Sequence, residues 1–178
     1  MSTRSARLRL KYLGQRWLLG ALAAVLPRSE WAHFHLGNAH AEHGHPERSE
    51  QPWQRACNRP APRAAAALNL GSLLLERGAV AEAIPVLTRA AGAHPDHAKL
   101  QLLLGKAHQK AGALGPAAGA LLRVVALEPE NDAVRFTAAL LLEKQGHKAA
   151  ALTQYQAIRD PGLKAKAQPR IAALSATA

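Results

Sequence analysis

One spacing of 34 residues governs this chain. Leu36-Gly37, Leu70-Gly71, Leu104-Gly105 and Ala138-Ala139 fall 34 residues apart, and so do Gly44, Gly78, Gly112 and Gly146. Ala83 and Ala117 keep the same step, as do Pro95 and Pro129. A fixed period of this length marks stacked helical hairpins, because a lone hairpin cannot bury its apolar face and must lean on the next.

Each period divides into two helices. In the second, Ala67, Leu70 and Leu74 recur at helical spacing, which predicts a helix over Ala64 to Glu76. Gly78 follows, and glycine readily takes the left-handed conformation that ends a helix. Ala83, Ile84, Leu87 and Ala90 predict a second helix over Val80 to Ala93, stopped at His94-Pro95 because proline cannot continue it. The third period repeats this with Leu104, Gly105, Gly112, Ala117, Leu121, Val124 and Pro129. Gly71, Gly105 and Ala139 stand where paired helices press together, with Ala83, Ala117 and Ala151 opposite.

These residues resemble the tetratricopeptide repeat family. Residues 64–131 carry its pattern twice; residues 132–165 carry it with Ala139 for glycine, Ile158 for the last alanine and Leu163 for proline. Tyr155 keeps an aromatic position. Residues 30–63 form a degenerate unit that keeps Leu36-Gly37, Gly44, Trp53 and Ala56 but places His33 and His40 at core positions. The resemblance implies an all-α fold: a right-handed superhelical stack of about four helix-turn-helix units (30–63, 64–97, 98–131 and 132–165). A C-terminal capping helix is expected over 166–178, around Ile171 to Leu174. It also implies a protein-interaction scaffold, not an enzyme, assisting complex assembly.

Composition narrows the field further. The formal charge of +11 is concentrated at the ends. Six bases and no acid precede Glu30, whereas residues 30–165 hold 15 bases and 12 acids. Lys166 and Arg170 add to the tail. With 4% aromatic residues and no basic stripe interleaved with them, a nucleic-acid partner is disfavoured. The single cysteine, Cys57, can form no intramolecular disulfide and no thiolate zinc site.

Residues 1–29 are a separate matter. Met1 to Arg16 is basic, and Trp17 to Leu26 is an uncharged apolar run ended by Pro27. That run is half the roughly 20 apolar residues a membrane span needs, though Arg9, Lys11 and Arg16 could snorkel beside a short anchor. A signal peptide, an organellar presequence and a helix capping the first unit are the other readings. Membrane association is favoured over a soluble cytoplasmic protein, with a cleaved targeting signal as an alternative.

By resemblance, the first helices of successive units line a concave groove. Phe34, Leu68, Leu102 and Phe136 share one groove row; Asn38, Ser72 and Lys106 fall a turn further, with Leu140 in the same row, and Gln109 and Glu143 in a third. Lys99 and Lys110 lie nearby. An apolar first row suits an apolar or amphipathic segment of a protein partner, with the lysines orienting its acidic end. His33, His35, His40, His43 and His45 crowd the first unit. His40 and His43 are three apart on one helix and are candidate metal ligands, although no cysteine or well-spaced carboxylate completes a set. A metal- or pH-responsive module is therefore the alternative function. No cofactor is implied, and no nucleophile elbow, phosphate loop or dinucleotide fingerprint occurs. Pro52, Pro60 and Pro62 predict a short or kinked second helix in the first unit; Pro85 predicts a bend, and Pro116 sits near a helix start.

Overall fold

The computed structural model describes residues 3–58 and 62–176, with side chains from residue 11 onward. Pro60 lies outside the described residues. The described chain is all-α. It runs α1 (Thr3–Val25), α2 (Glu30–Glu42), a 3-10 turn (Pro46–Arg48), α3 (Glu50–Cys57), α4 (Ala64–Glu76) and α5 (Val80–Ala93). It continues with α6 (Ala98–Lys110), α7 (Leu114–Leu127), α8 (Asp132–Lys144), α9 (Lys148–Gln156) and α10 (Pro161–Ser175). Two units result, Met1–Ala93 and His94–Ala178.

The 34-residue step is a backbone device before it is a packing one. Gly44, Gly78, Gly112 and Gly146 all have left-handed φ, between 73° and 80°. At each, the residue after the glycine donates its N–H back to the helix: His45 to His40, Ala79 to Leu74, Ala113 to His108 and His147 to Leu142, at 2.8–2.9 Å. This bond is the Schellman closure, and a side chain at the glycine would strain it.

Packing explains the second glycine series. A Cβ added at Gly71 would come within 2.6 Å of Leu87, at Gly105 within 2.7 Å of Leu121, and at Gly37 within 2.4 Å of the Trp53 ring. Each partner stands 16 residues on, so the close approach of a hairpin's two helices repeats with the period.

In unit 1, α1 pairs with α2, α2 with α3, α3 with α4 and α4 with α5. The core takes Phe34, Trp53, Leu70, Leu74 and Leu87. Helix α3 is only eight residues long and follows the 3-10 turn. Pro52 has no N–H to give and its ring crowds the carbonyl four residues back, so a continuous helix through Arg48 is prevented. In unit 2, α6 pairs with α7, α7 with α8, α8 with α9, and α10 with α9 and α8. Its core centres on Leu121, Val124, Ala138, Tyr155 and Ile158. The last helix starts at Pro161 rather than near Ile171; Asp160 caps it, its carboxylate accepting the Leu163 N–H at 2.8 Å.

The expectation of membrane association is corrected here. Among the described residues, no helix is long and apolar enough to cross a membrane. Helix α1 is 23 residues long, but its first half carries Arg4, Arg7, Arg9 and Lys11, with Arg16 further on. Tyr12 and Ala23 are buried within unit 1.

Candidate partner-binding surface

Helices α2 and α4 of unit 1 bring Asn38 and Ser72 to one cleft of about 390 Å³. Asn38 Oδ1 accepts two hydrogen bonds of 3.0 Å, from Trp53 Nε1 and Asn69 Nδ2. The first ties the cleft wall to the hairpin's own core; the second joins α2 to α4 across the cleft. Glu42 and Glu76 stand exposed in the lining, one from each helix. Among the described residues, neither forms an ion pair, so the cleft holds two unneutralised carboxylates.

Phe34 and Leu68 lie on the same two helices. Phe34 is buried, and the Arg63 guanidinium lies 4.9 Å from its ring centroid, a cation–π cover. Leu68 is half-buried. In unit 2, Leu102 and Phe136 are half-buried and pack against the core. Phe136 meets the buried Tyr155 edge-on, with ring centroids 5.6 Å apart. Lys99, Lys106 and Lys110 are exposed on α6, and Gln109 is half-buried. Unit 1 thus presents carboxylates where unit 2 presents ammonium groups.

Helix α8 is braced from behind. Tyr155 donates its hydroxyl to Glu143 at 2.7 Å, and Arg170 Nη1 donates to both Glu143 oxygens at 2.9 and 3.0 Å. Burial of the Tyr155 phenol pushes its pKa well above the ordinary value. Asp132, buried at the start of α8, accepts the backbone N–H groups of Asp160 and Arg159 at 2.6 and 2.8 Å. The Asp160 bond is the main reason its carboxyl pKa is lowered.

The histidines are drawn into local bonding. His33 donates Nε2–H to the Pro27 carbonyl at 3.1 Å, closing the α1–α2 turn. His43 donates Nδ1–H to the Ala39 carbonyl at 2.8 Å, and its ring stacks on Tyr12 at 4.6 Å. His40 Nδ1 is hydrogen-bonded to the Tyr12 hydroxyl at 2.9 Å. Among the described residues, no group of three or more histidine, cysteine, aspartate or glutamate side chains is set to hold a metal ion.

Sequence periodicity missed three of these features. Asn69 is 31 residues from Asn38, so it stands off the 34-residue beat, and no spacing search pairs them. Glu42 and Glu76 do fall 34 apart and could have been found by extending the beat to charged positions. Tyr12 lies before the repeats altogether.

The tetratricopeptide repeat profile matches residues 34–98 and again residues 68–132, more than half the chain. The chain belongs to the tetratricopeptide repeat family. No curated protein matches it. Solved structures similar in fold include MamA and YrrB. A crystal structure of MamA has a TM-score of 0.65 at 18% identity, covering 88% of this chain and 92% of that one. YrrB, described as a tetratricopeptide protein with an unusual peptide-binding site, has a TM-score of 0.68 at 15% identity, covering 94% of this chain and 86% of that one. At such identities the likeness concerns the fold alone.

Proposed function

We propose that this tetratricopeptide repeat protein is a scaffold that holds segments of a partner protein on the first-helix faces of each unit, within residues 30–165. The observation that carries this is the α2–α4 cleft. Its walls are fixed by the Trp53–Asn38–Asn69 bonds, while Ser72, Glu42 and Glu76 face whatever enters. Fixed amide groups suit a peptide backbone, and two unpaired carboxylates suit a lysine, arginine or amino terminus on the partner. The exposed lysines of α6 suit an acidic part, and half-buried Leu102 and Phe136 suit apolar side chains. These features support binding rather than catalysis, since the polar groups named bond one another or wait for charge and none is paired as nucleophile and base. YrrB's peptide-binding description supports the same class of partner.

The test is site-specific photo-crosslinking in cells, with the probe placed at Ser72 or Lys106. A discrete polypeptide should be captured from both positions, and Phe136→Ala should weaken capture at Lys106. Glu42→Gln combined with Glu76→Gln should weaken it at Ser72. Equal capture from a probe at Thr88, exposed on the second-helix face of unit 1, would count against the assignment.

A second reading has one specific support. The Tyr12 ring sits against His40, His43 and His45, with ring centroids 4.6–6.0 Å away. That supports a pH-responsive first unit rather than a metal-responsive one.

A further inference from the structure

The second helices of unit 1 build a cleft that partner binding on the first helices does not use. Helix α3 lines it with Gln51, Gln54, Arg55 and the capping Asn58, an i, i+3, i+4, i+7 stripe and hence a single helix face. Helix α5 answers with Glu82 at one end and Arg89 at the other, seven residues or about 10 Å along the axis. Val86 and buried Leu70 give the lining an apolar part, and the cleft measures about 560 Å³.

Arg89 donates Nη2–H to the Cys57 carbonyl at 2.9 Å. That bond holds the guanidinium in place and covers the carbonyl end of α3, which would otherwise repel an anion. A guanidinium has five N–H donors, so most of those on Arg89 still point elsewhere. Arg55 lines the same cleft, exposed, and among the described residues no carboxylate pairs with either arginine. An adjoining cleft, lined by Pro27 and Arg28, shares Arg55 and Asn58. Cys57 is not a competing centre: burial pushes its thiol pKa up to about 12, so it stays neutral.

We infer that this cleft binds a phosphate monoester, with Arg55, Arg89 and Asn58 on the phosphate and Leu70 and Val86 against the organic group it carries. One anchored guanidinium, Arg89, and one exposed guanidinium, Arg55, match a dianion in charge, and their planar forks match its oxygens. The cleft is larger than a bare phosphate needs, and its lining beyond the arginines is partly apolar. Both features favour an ester over the free ion.

The test is calorimetric titration of the full chain at low ionic strength with phenyl phosphate, inorganic phosphate and benzoate. Phenyl phosphate should bind saturably, more tightly than either comparator. Arg55→Gln and Arg89→Gln should each weaken it about tenfold, the usual scale for a charge-assisted bond. Arg55 makes no side-chain bond within the described chain, so Arg55→Gln should keep the wild-type circular dichroism even if Arg89→Gln does not. Lys164→Gln, exposed on α10, should leave the affinity unchanged. Benzoate binding as tightly as phenyl phosphate would overturn the phosphate assignment. Unaltered affinity in Arg55→Gln, or equal loss in Lys164→Gln, would overturn the site.

Discussion

At the residue scale, the helical glycines divide by what stands opposite them. Gly37 faces the buried Trp53 ring, itself held by Asn38, so a methyl group there has nowhere to go. Gly119 is exposed inside α7 with nothing within 4 Å. Gly37→Ala should therefore destabilise by about 2 kcal/mol through overpacking. Gly119→Ala should stabilise by up to about 1 kcal/mol through helix propensity. Thermal melts of the two variants check both signs. Asp132 makes a second prediction. Its folded pKa is depressed, so it contributes stability that is present above the ordinary carboxylate pKa and lost as pH falls through the folded value. Asp132→Asn should weaken the protein at neutral pH, and the gap to wild type should close in acid. Denaturant midpoints measured from pH 7 downward read this, and a gap that persists in acid would refute it.

At the scale of elements, α1 is held partly by chemistry that titrates. His40 has a lowered pKa, first through burial, then through Arg16 of α1, Arg48 of the 3-10 turn and His45; Glu47 opposes them. Tyr12 and His43 complete its surroundings. A histidine whose folded pKa is depressed stabilises the fold above its unfolded pKa of about 6.5 and loses that contribution as pH falls below it. Protonation would also disturb the Tyr12–His40 bond. Hydrogen-exchange protection of α1 should thus fall as pH drops below about 6.5. His40→Gln should flatten that profile; an unchanged profile would remove His40 as its cause. Element boundaries were legible in sequence wherever backbone chemistry sets them. Helices α4 and α5 keep the bounds the apolar spacing and Gly78 predict. The short α3 follows from Pro52. The start of α10 was not legible: the cap expected over 166–178 opens already at Pro161, because proline is tolerated in a first helical turn and Asp160 caps it.

At the scale of the molecule, each helix pair lends support only to its neighbours, so protection should depend on position. Helices α7 and α8 have packed helices on both sides and supply much of the unit 2 core. Among the described residues, the terminal helix α1 packs chiefly on α2, and the terminal helix α10 on α9 and, less, on α8. Native-state hydrogen exchange at constant pH should find α7 and α8 slowest and α1 and α10 fastest. A single exchange rate throughout would mean that the chain unfolds as one block.

The sequence by itself determined the repeat: the step length, the left-handed glycines and the small residues at helix crossings. Those depend on one residue's backbone freedom or volume, and such properties travel with the amino acid. It also set the charge, which every fold of this chain would carry. The tertiary structure alone decided which side chains meet across helices: Asn69 on Asn38, Arg63 over Phe34, Arg89 on the Cys57 carbonyl and Tyr12 among the histidines. None of these pairs keeps the 34-residue step, because a contact between neighbouring helices depends on how they are rotated and offset. Packing sets that geometry, and with it the surfaces on which function is proposed.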